Sequence, residues 1–182
     1  MKQKSVRDSE VTITELMIPS YANFGGKVHG GILLGLMDKV AYVCASKHSG
    51  SYCVTVAVEG VEFLSPVEVG ELVSLKACVN YVGRTTMIIG IRVESLQPQI
   101  GVLKHTNSCY FTMAAKDATG DLCEVPALVL ENETQLRRFC EGKAIRRLSL
   151  QKREYLKGNL TDVSVQDQLA MTEGERVVVS LS

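Results

Sequence analysis

Between Gly31 and Lys47 the apolar residues Ile32, Leu33, Leu36, Met37, Val40, Ala41, Val43 and Cys44 recur at helical spacing. The apolar arc is wide, so this helix is expected to pack on most of its sides rather than lie on a surface. A strand-like segment, Val11–Met17, precedes it, and the glycine-rich stretch SYANFGGKVHGG joins the two. Four further β segments follow with no helix between them: Ser51–Leu64, Glu71–Tyr81, Thr85–Leu96 and Lys104–Lys116. The middle two read as a hairpin joined at Val82–Gly83–Arg84, and a turn at Asp117–Asp121 closes the last. Consecutive strands without crossover helices favour an antiparallel sheet. One apolar helix beside such a sheet predicts an α+β fold in which the long sheet wraps the helix.

In a chain of 182 residues this pattern occupies residues 1–130, which predicts one domain there. From residue 131 onward the sequence changes character. The run TQLRRFCEGKAIRRLSLQKREYL is charged and helix-permissive, and 159–182 is expected to be extended or poorly ordered. Residues 131–182 therefore read as a helical or poorly ordered C-terminal extension.

Twenty Lys and Arg balance twenty Asp and Glu, so no basic excess points to nucleic acid. The longest apolar stretch, Ile32–Ala45, is broken by Asp38 and Lys39 and is too short to span a bilayer. Six cysteines without a C-x-x-C pair, beside three histidines, give no zinc pattern, and no metal is expected. The charged opening MKQKSVRDSE is not a secretory signal, so the expectation is a cytoplasmic protein with free thiols. A Gly-x-Ser-x-Gly elbow and a phosphate-binding P-loop are both lacking.

Asp38 lies between Met37 and Val40 on the most apolar helix of the chain. A carboxylate is costly to bury there without a partner or a task. It reads either as a general base or nucleophile, or as a helix-face Asp at a wet dimer seam. Gly30 and Gly31 open the helix, where free N–H groups and the positive dipole end suit an oxyanion. A plain turn into the helix is the alternative. Asn23, in the preceding loop, reads as an amide donor or as a turn former. Thr55 reads as a hydroxyl bordering the site or as an ordinary strand threonine. His29 and His105 have no acidic partner near in sequence, and His29 reads as fixing the glycine loop by hydrogen bonding.

Gly31 and Asp38 are seven residues apart on nearly one helix face, about 10 Å along the axis at about 1.5 Å per residue. An oxyanion donor and a base must both lie within about 3 Å of the reacting group. Two such helices packed antiparallel across a dyad bring the glycine end of one near Asp38 of the other. The sequence therefore predicts a site shared between two chains.

The block Ala22-Asn23-Phe24-Gly25-Gly26-Lys27-Val28-His29-Gly30-Gly31, followed by Leu36-Met37-Asp38, resembles the hot-dog acyl-CoA hydrolases, and most of all their cytosolic branch. Thr55-Val56-Ala57-Val58-Glu59, Phe63-Leu64-Ser65-Pro66, Gly70-Glu71 and Val82-Gly83-Arg84-Thr85-Thr86 extend the resemblance over roughly residues 10 to 130. It implies the hot-dog fold and hydrolysis of acyl-CoA thioesters to a free acid and coenzyme A. It also implies Asn23 and Asp38 contributed from opposite chains, and a homo-oligomer with a dimer as minimal unit, built as a trimer of dimers. No cofactor is required beyond coenzyme A as part of substrate and product. Arg84 is then the candidate cation for the coenzyme A phosphates, with Gly83, Thr85 and Thr86 beside it, or else a solvated hairpin tip. Arg137 and Arg138 offer further phosphate contacts or an ordinary solvated helix face. Lys27 departs from the asparagine many members carry there, which shifts loop contacts or acyl preference. The alternatives are a non-catalytic acyl-CoA-binding regulator and an enoyl-thioester hydratase.

Overall fold

The computed structural model describes residues 2–160 and 163–181. It divides into two compact units, residues 1–145 and 146–182. In the first unit the order is β1 (Gln3–Ser5), α1 (Val6–Ser9), β2 (Val11–Leu16), a 3-10 turn (Pro19–Tyr21), α2 (Gly30–Ser49) and β3 (Tyr52–Phe63). There follow β4 (Leu72–Val82), β5 (Thr86–Gln97), β6 (Val102–Lys116) and β7 (Ala127–Val129), before α3 (Glu133–Leu160). Strands β2 to β6 form one antiparallel sheet in the order β2-β4-β5-β6-β3. The α+β reading with an antiparallel sheet around one helix holds.

Alternation gives the sheet two faces. Leu75, Ala77 and Val79 of β4, Ile89, Ile91 and Val93 of β5, and Cys109, Phe111 and Met113 of β6 point inward onto α2. Met37, Val40, Ala41, Cys44 and Ala45 of the helix meet them and are fully buried. Gly50, at φ 72°, ends α2 in the left-handed conformation that only glycine adopts cheaply, and its N–H closes on the Ser46 carbonyl.

One expectation is corrected. The helix is not packed on most sides, because Leu34, Tyr42 and Val43 stay exposed on a stripe that the sheet does not reach. Strands β1 and β7, which form a parallel pair, carry no local signal, since three-residue strands exist only through their partner. The stretch 159–182, read as extended or poorly ordered, contains one short helix among its described residues. Ser164 caps the short helix α4 (Val165–Ala170), its hydroxyl accepting from Asp167 N–H at 3.2 Å, while residues 161, 162 and 182 lie outside the described residues.

The last turn of α2 carries His48, fully buried, with Nε2 3.0 Å from the Pro126 carbonyl. Pro126 can only accept, so Nε2 carries the proton and Nδ1 is bare, with no partner among the described residues. Burial pushes its pKa below the ordinary 6.5 despite the carbonyl. The unfolded chain takes up this proton at higher pH than the folded one, so stability is full above about pH 6.5 and lost below it. Thermal melting should fall from about pH 7.5 to 5.5, and His48→Gln should flatten that slope; an unchanged slope removes His48 as its cause.

Candidate active site

Helical periodicity puts Met37 and Val40 on the buried face of α2 and turns Asp38 onto the uncovered stripe with Leu34 and Tyr42. Asp38 is thus exposed within one chain, and the sequence neighbours that suggested an apolar surround point away from it. Its Oδ1 accepts a 2.5 Å hydrogen bond from the Thr55 hydroxyl. Thr55 stands on β3 where the register with β6 shifts between Thr55 and Ala57, and the same hydroxyl lies 3.4 Å from Met113 Sδ. A bulge re-aims a side chain, and here the threonine is aimed at the helix. The structure brings Asp38 and Thr55 together, 17 positions apart in sequence.

Asn23 closes its own loop. Its Oδ1 accepts from Gly25 N–H at 2.8 Å and Lys27 N–H at 3.2 Å, and its backbone N–H donates to the Lys27 carbonyl at 2.7 Å. The amide Nδ2 is the part left over. Gly26 takes φ 76° at the tip, and Phe24 is fully exposed. Lys27 is tied by a 2.6 Å ion pair to Glu68, across a main-chain bridge between the same two residues. The departure from the asparagine of the resembled family therefore anchors the loop to the β3–β4 connection. Glu71, buried at 3 % exposure, holds that connection from below, accepting Glu68 N–H at 3.1 Å, the Ser95 hydroxyl, and Lys104 Nζ at 2.9 Å. Burial acts to raise its pKa, but these donors outweigh it and hold the carboxyl below the ordinary value.

His29 is the N-cap of α2, and its Nδ1 accepts from Gly31 N–H at 2.9 Å. The reading of His29 as a loop-fixing residue matches this contact. The Gly31 N–H is consequently engaged, whereas the Gly30 N–H has no partner among the described residues. A Cβ on Gly30 would make ordinary contact with the Phe63 ring at 3.4 Å, which places the end of β3 beside the helix start.

Arg84 is exposed in the β4–β5 turn. Gly83 N–H donates to the Thr86 carbonyl at 2.7 Å, the Arg84 carbonyl accepts from Val125, and the Thr85 carbonyl accepts from Ala115, both at 3.0 Å. Met87, Met113 and Thr55 share one row across β5, β6 and β3. On that grid Arg84 lies two strands across and about three residues along from Thr55, about 14 Å away. Within one chain the Gly83–Thr86 turn is separate from the Asp38–Thr55 pair. Among the described residues no group of His, Cys, Asp and Glu could hold a metal ion.

Comparisons with known proteins bear on the fold and the family. The thioesterase superfamily profile matches residues 25–102. Protein VdlD of Helicobacter pylori is 41% identical over 149 residues, covering 82% of this chain and 84% of its own. An uncharacterized acyl-CoA thioester hydrolase of Zymomonas mobilis is 34% identical over 128 residues, 70% of this chain and 83% of its own. Among solved structures, an apo-hexameric acyl-CoA thioesterase superposes with TM-score 0.81 at 30% identity, over 86% of this chain and 99% of that one. The acyl-CoA hydrolase of Staphylococcus aureus, in complex with butyryl coenzyme A and coenzyme A, gives TM-score 0.73 at 26% identity, over 85% and 99%. Variants of that hydrolase carry alanine in place of an asparagine and of an aspartate 15 positions apart. With this fold, and with relatives of this identity over most of its length, the chain belongs to the thioesterase superfamily, among the hot-dog-fold acyl-CoA thioester hydrolases.

Proposed function

We propose that residues 1–130 hydrolyse acyl-CoA thioesters to a free carboxylic acid and coenzyme A, at a site completed by a second copy of the chain. The carrying observation is that Asp38, hydrogen-bonded to Thr55, sits on the stripe of α2 that its own sheet leaves uncovered. Beside it β3 is an edge strand 12 residues long, with Val56 and Val58 about half exposed. An unpaired apolar edge of that length is a template for another strand, and an identical β3 is self-complementary across a dyad. Pairing there would set two α2 helices side by side. The Gly30 N–H of one would face Asp38 of the other, with Asn23 Nδ2 as a second donor.

In the reaction, the thioester carbonyl oxygen takes up negative charge and the Gly30 N–H and Asn23 Nδ2 stabilise it. Asp38 either removes a proton from the attacking water or adds directly to the carbonyl carbon as a mixed anhydride that water then opens. The C–S bond breaks and coenzyme A leaves as a thiolate that takes up a proton. Arg84, with Gly83, Thr85 and Thr86, is assigned to the coenzyme A phosphates. Its separation from Asp38 suits an extended substrate, and the partner's copy of the turn is an equal candidate. The hexameric neighbour supports a trimer of dimers as the full assembly. The asparagine and aspartate altered in the Staphylococcus aureus hydrolase have the 15-position spacing of Asn23 and Asp38. No helix among the described residues is long and apolar enough to cross a membrane, and six unpaired thiols favour the reducing cytoplasm.

Thiol release from a panel of acyl-CoAs should fall by about 10²–10⁴ in Asp38→Asn. Full activity in that variant would sink the assignment. Asn23→Asp keeps the oxygen that closes the loop and removes the donor, whereas Asn23→Ala removes both. If the amide polarises the carbonyl, both variants should lose kcat; recovery in Asn23→Asp alone would make Asn23 a positioning residue. Mixing Asp38→Ala with Asn23→Ala under subunit exchange should restore part of the activity, because a mixed dimer contains one intact site. No restoration would count against a shared site.

A further inference from the structure

The sheet has a second face, turned away from α2 and Asp38, and the start of α3 roofs it. Phe139 packs on Tyr81 with ring centroids 5.2 Å apart, and Gly142 lets the helix lie directly on Tyr81. Beside this contact is a cavity of about 510 Å³, a size that admits a metabolite-sized molecule. Its floor is two rows across the sheet. One is Thr12, Lys76, Arg92 and Ser108, in register over four strands, and the other is Cys78, Gly90 and Tyr110.

The lining cations are not equivalent. Lys76 and Arg92 both pair with Glu94, at 2.5 and 2.7 Å, and Arg137 pairs with Glu141. Arg138 faces only the Cys78 thiol, 3.8 Å away, with no carboxylate partner among the described residues. Below it, Asn80 is 5 % exposed. Its Oδ1 accepts from the Cys78 thiol at 3.2 Å, while its Nδ2 has no partner among the described residues. Gly90 makes room for that amide, since a Cβ there would lie 2.4 Å from Nδ2. A buried amide donor and a guanidinium with no carboxylate partner among the described residues thus line one cavity, whose other three cations are paired with Glu94 and Glu141. A guanidinium and an amide N–H side by side, neither taken up by a carboxylate or a carbonyl among the described residues, suit an anion with several acceptor oxygens.

We propose that this cavity is a second ligand site, for a small molecule carrying a phosphate group, with Arg138 and Asn80 Nδ2 as its donors. The site stands apart from the thioester chemistry, which lies across the sheet, and does not depend on it. The test is calorimetric titration of the full chain with inorganic phosphate, pyrophosphate and ribose 5-phosphate, the last separating an organic ester from the free ion. At least one should bind at one site per chain, and Arg138→Gln should weaken that binding about tenfold or more. Alkylation of wild-type protein followed by mass spectrometry gives a second readout that does not depend on the variant folding. The bound ligand should slow modification of Cys78, which lines the cavity, and leave the exposed Cys140 unaffected. Absence of both heat and protection at about 10 mM of all three probes would overturn the proposal, as would equal binding by a folded Arg138→Gln protein.

Discussion

Helix α2 meets the sheet along one side only, and its buried residues supply most of what binds the two layers. Met37, Val40, Ala41 and Cys44 are removed from water completely, each of the larger ones contributing on the order of 1.5–3 kcal/mol. The same contact turns the opposite stripe, with Leu34, Asp38 and Tyr42, away from the chain's own core. A helix of 20 residues cannot satisfy an apolar arc this wide against five strands alone. Asp38 sits on the surplus.

The elements around Asp38 are held by contacts that are polar and long-range in sequence. Thr55 reaches it from an edge strand at a register shift, and His29 ties down the first turn of the helix through Gly31. The Asn23 loop is anchored by Lys27 to Glu68, and Glu68 in turn by the buried Glu71 with Ser95 and Lys104. The exposed pair contributes little alone, on the order of 0–1 kcal/mol. Glu71 is different, because its carboxylate is buried, one oxygen paired with the half-buried Lys104 and the other accepting from Glu68 N–H and the Ser95 hydroxyl. The Gly70-Glu71 motif is therefore a support for the loop that carries Asn23, a role its position in a turn did not suggest.

Much of the site was legible before the structure, because its residue types are locally determined. A glycine pair before an apolar helix marks a helix start wherever it occurs, and the family motif fixed attention on Asn23, Asp38 and Thr55. Two points were not legible. That His29, read as fixing the loop, does so by taking up the Gly31 N–H depends on the ring's rotamer. The exposure of Asp38 depends on which side of the helix the sheet covers. Arg138 illustrates the same limit, since its interleaved charges read as a solvated helix face, and the residue is exposed, yet its guanidinium also reaches Cys78 on the sheet.

Periodicity, turn chemistry and charge by themselves determined the central helix, the run of antiparallel strands, the glycine loop and the residues worth testing, because each is a property of a few neighbouring positions. Only the tertiary structure decided that β3, next in sequence to β4, pairs instead with β6 at the far edge. That placement leaves its backbone open beside Asp38. Alternation says that a strand has two faces and a helix several, but not which neighbour each will meet. Strand order and covered faces are settled by packing between segments tens of residues apart, and so are the open edge, the bare stripe of α2 and the cavity beneath α3.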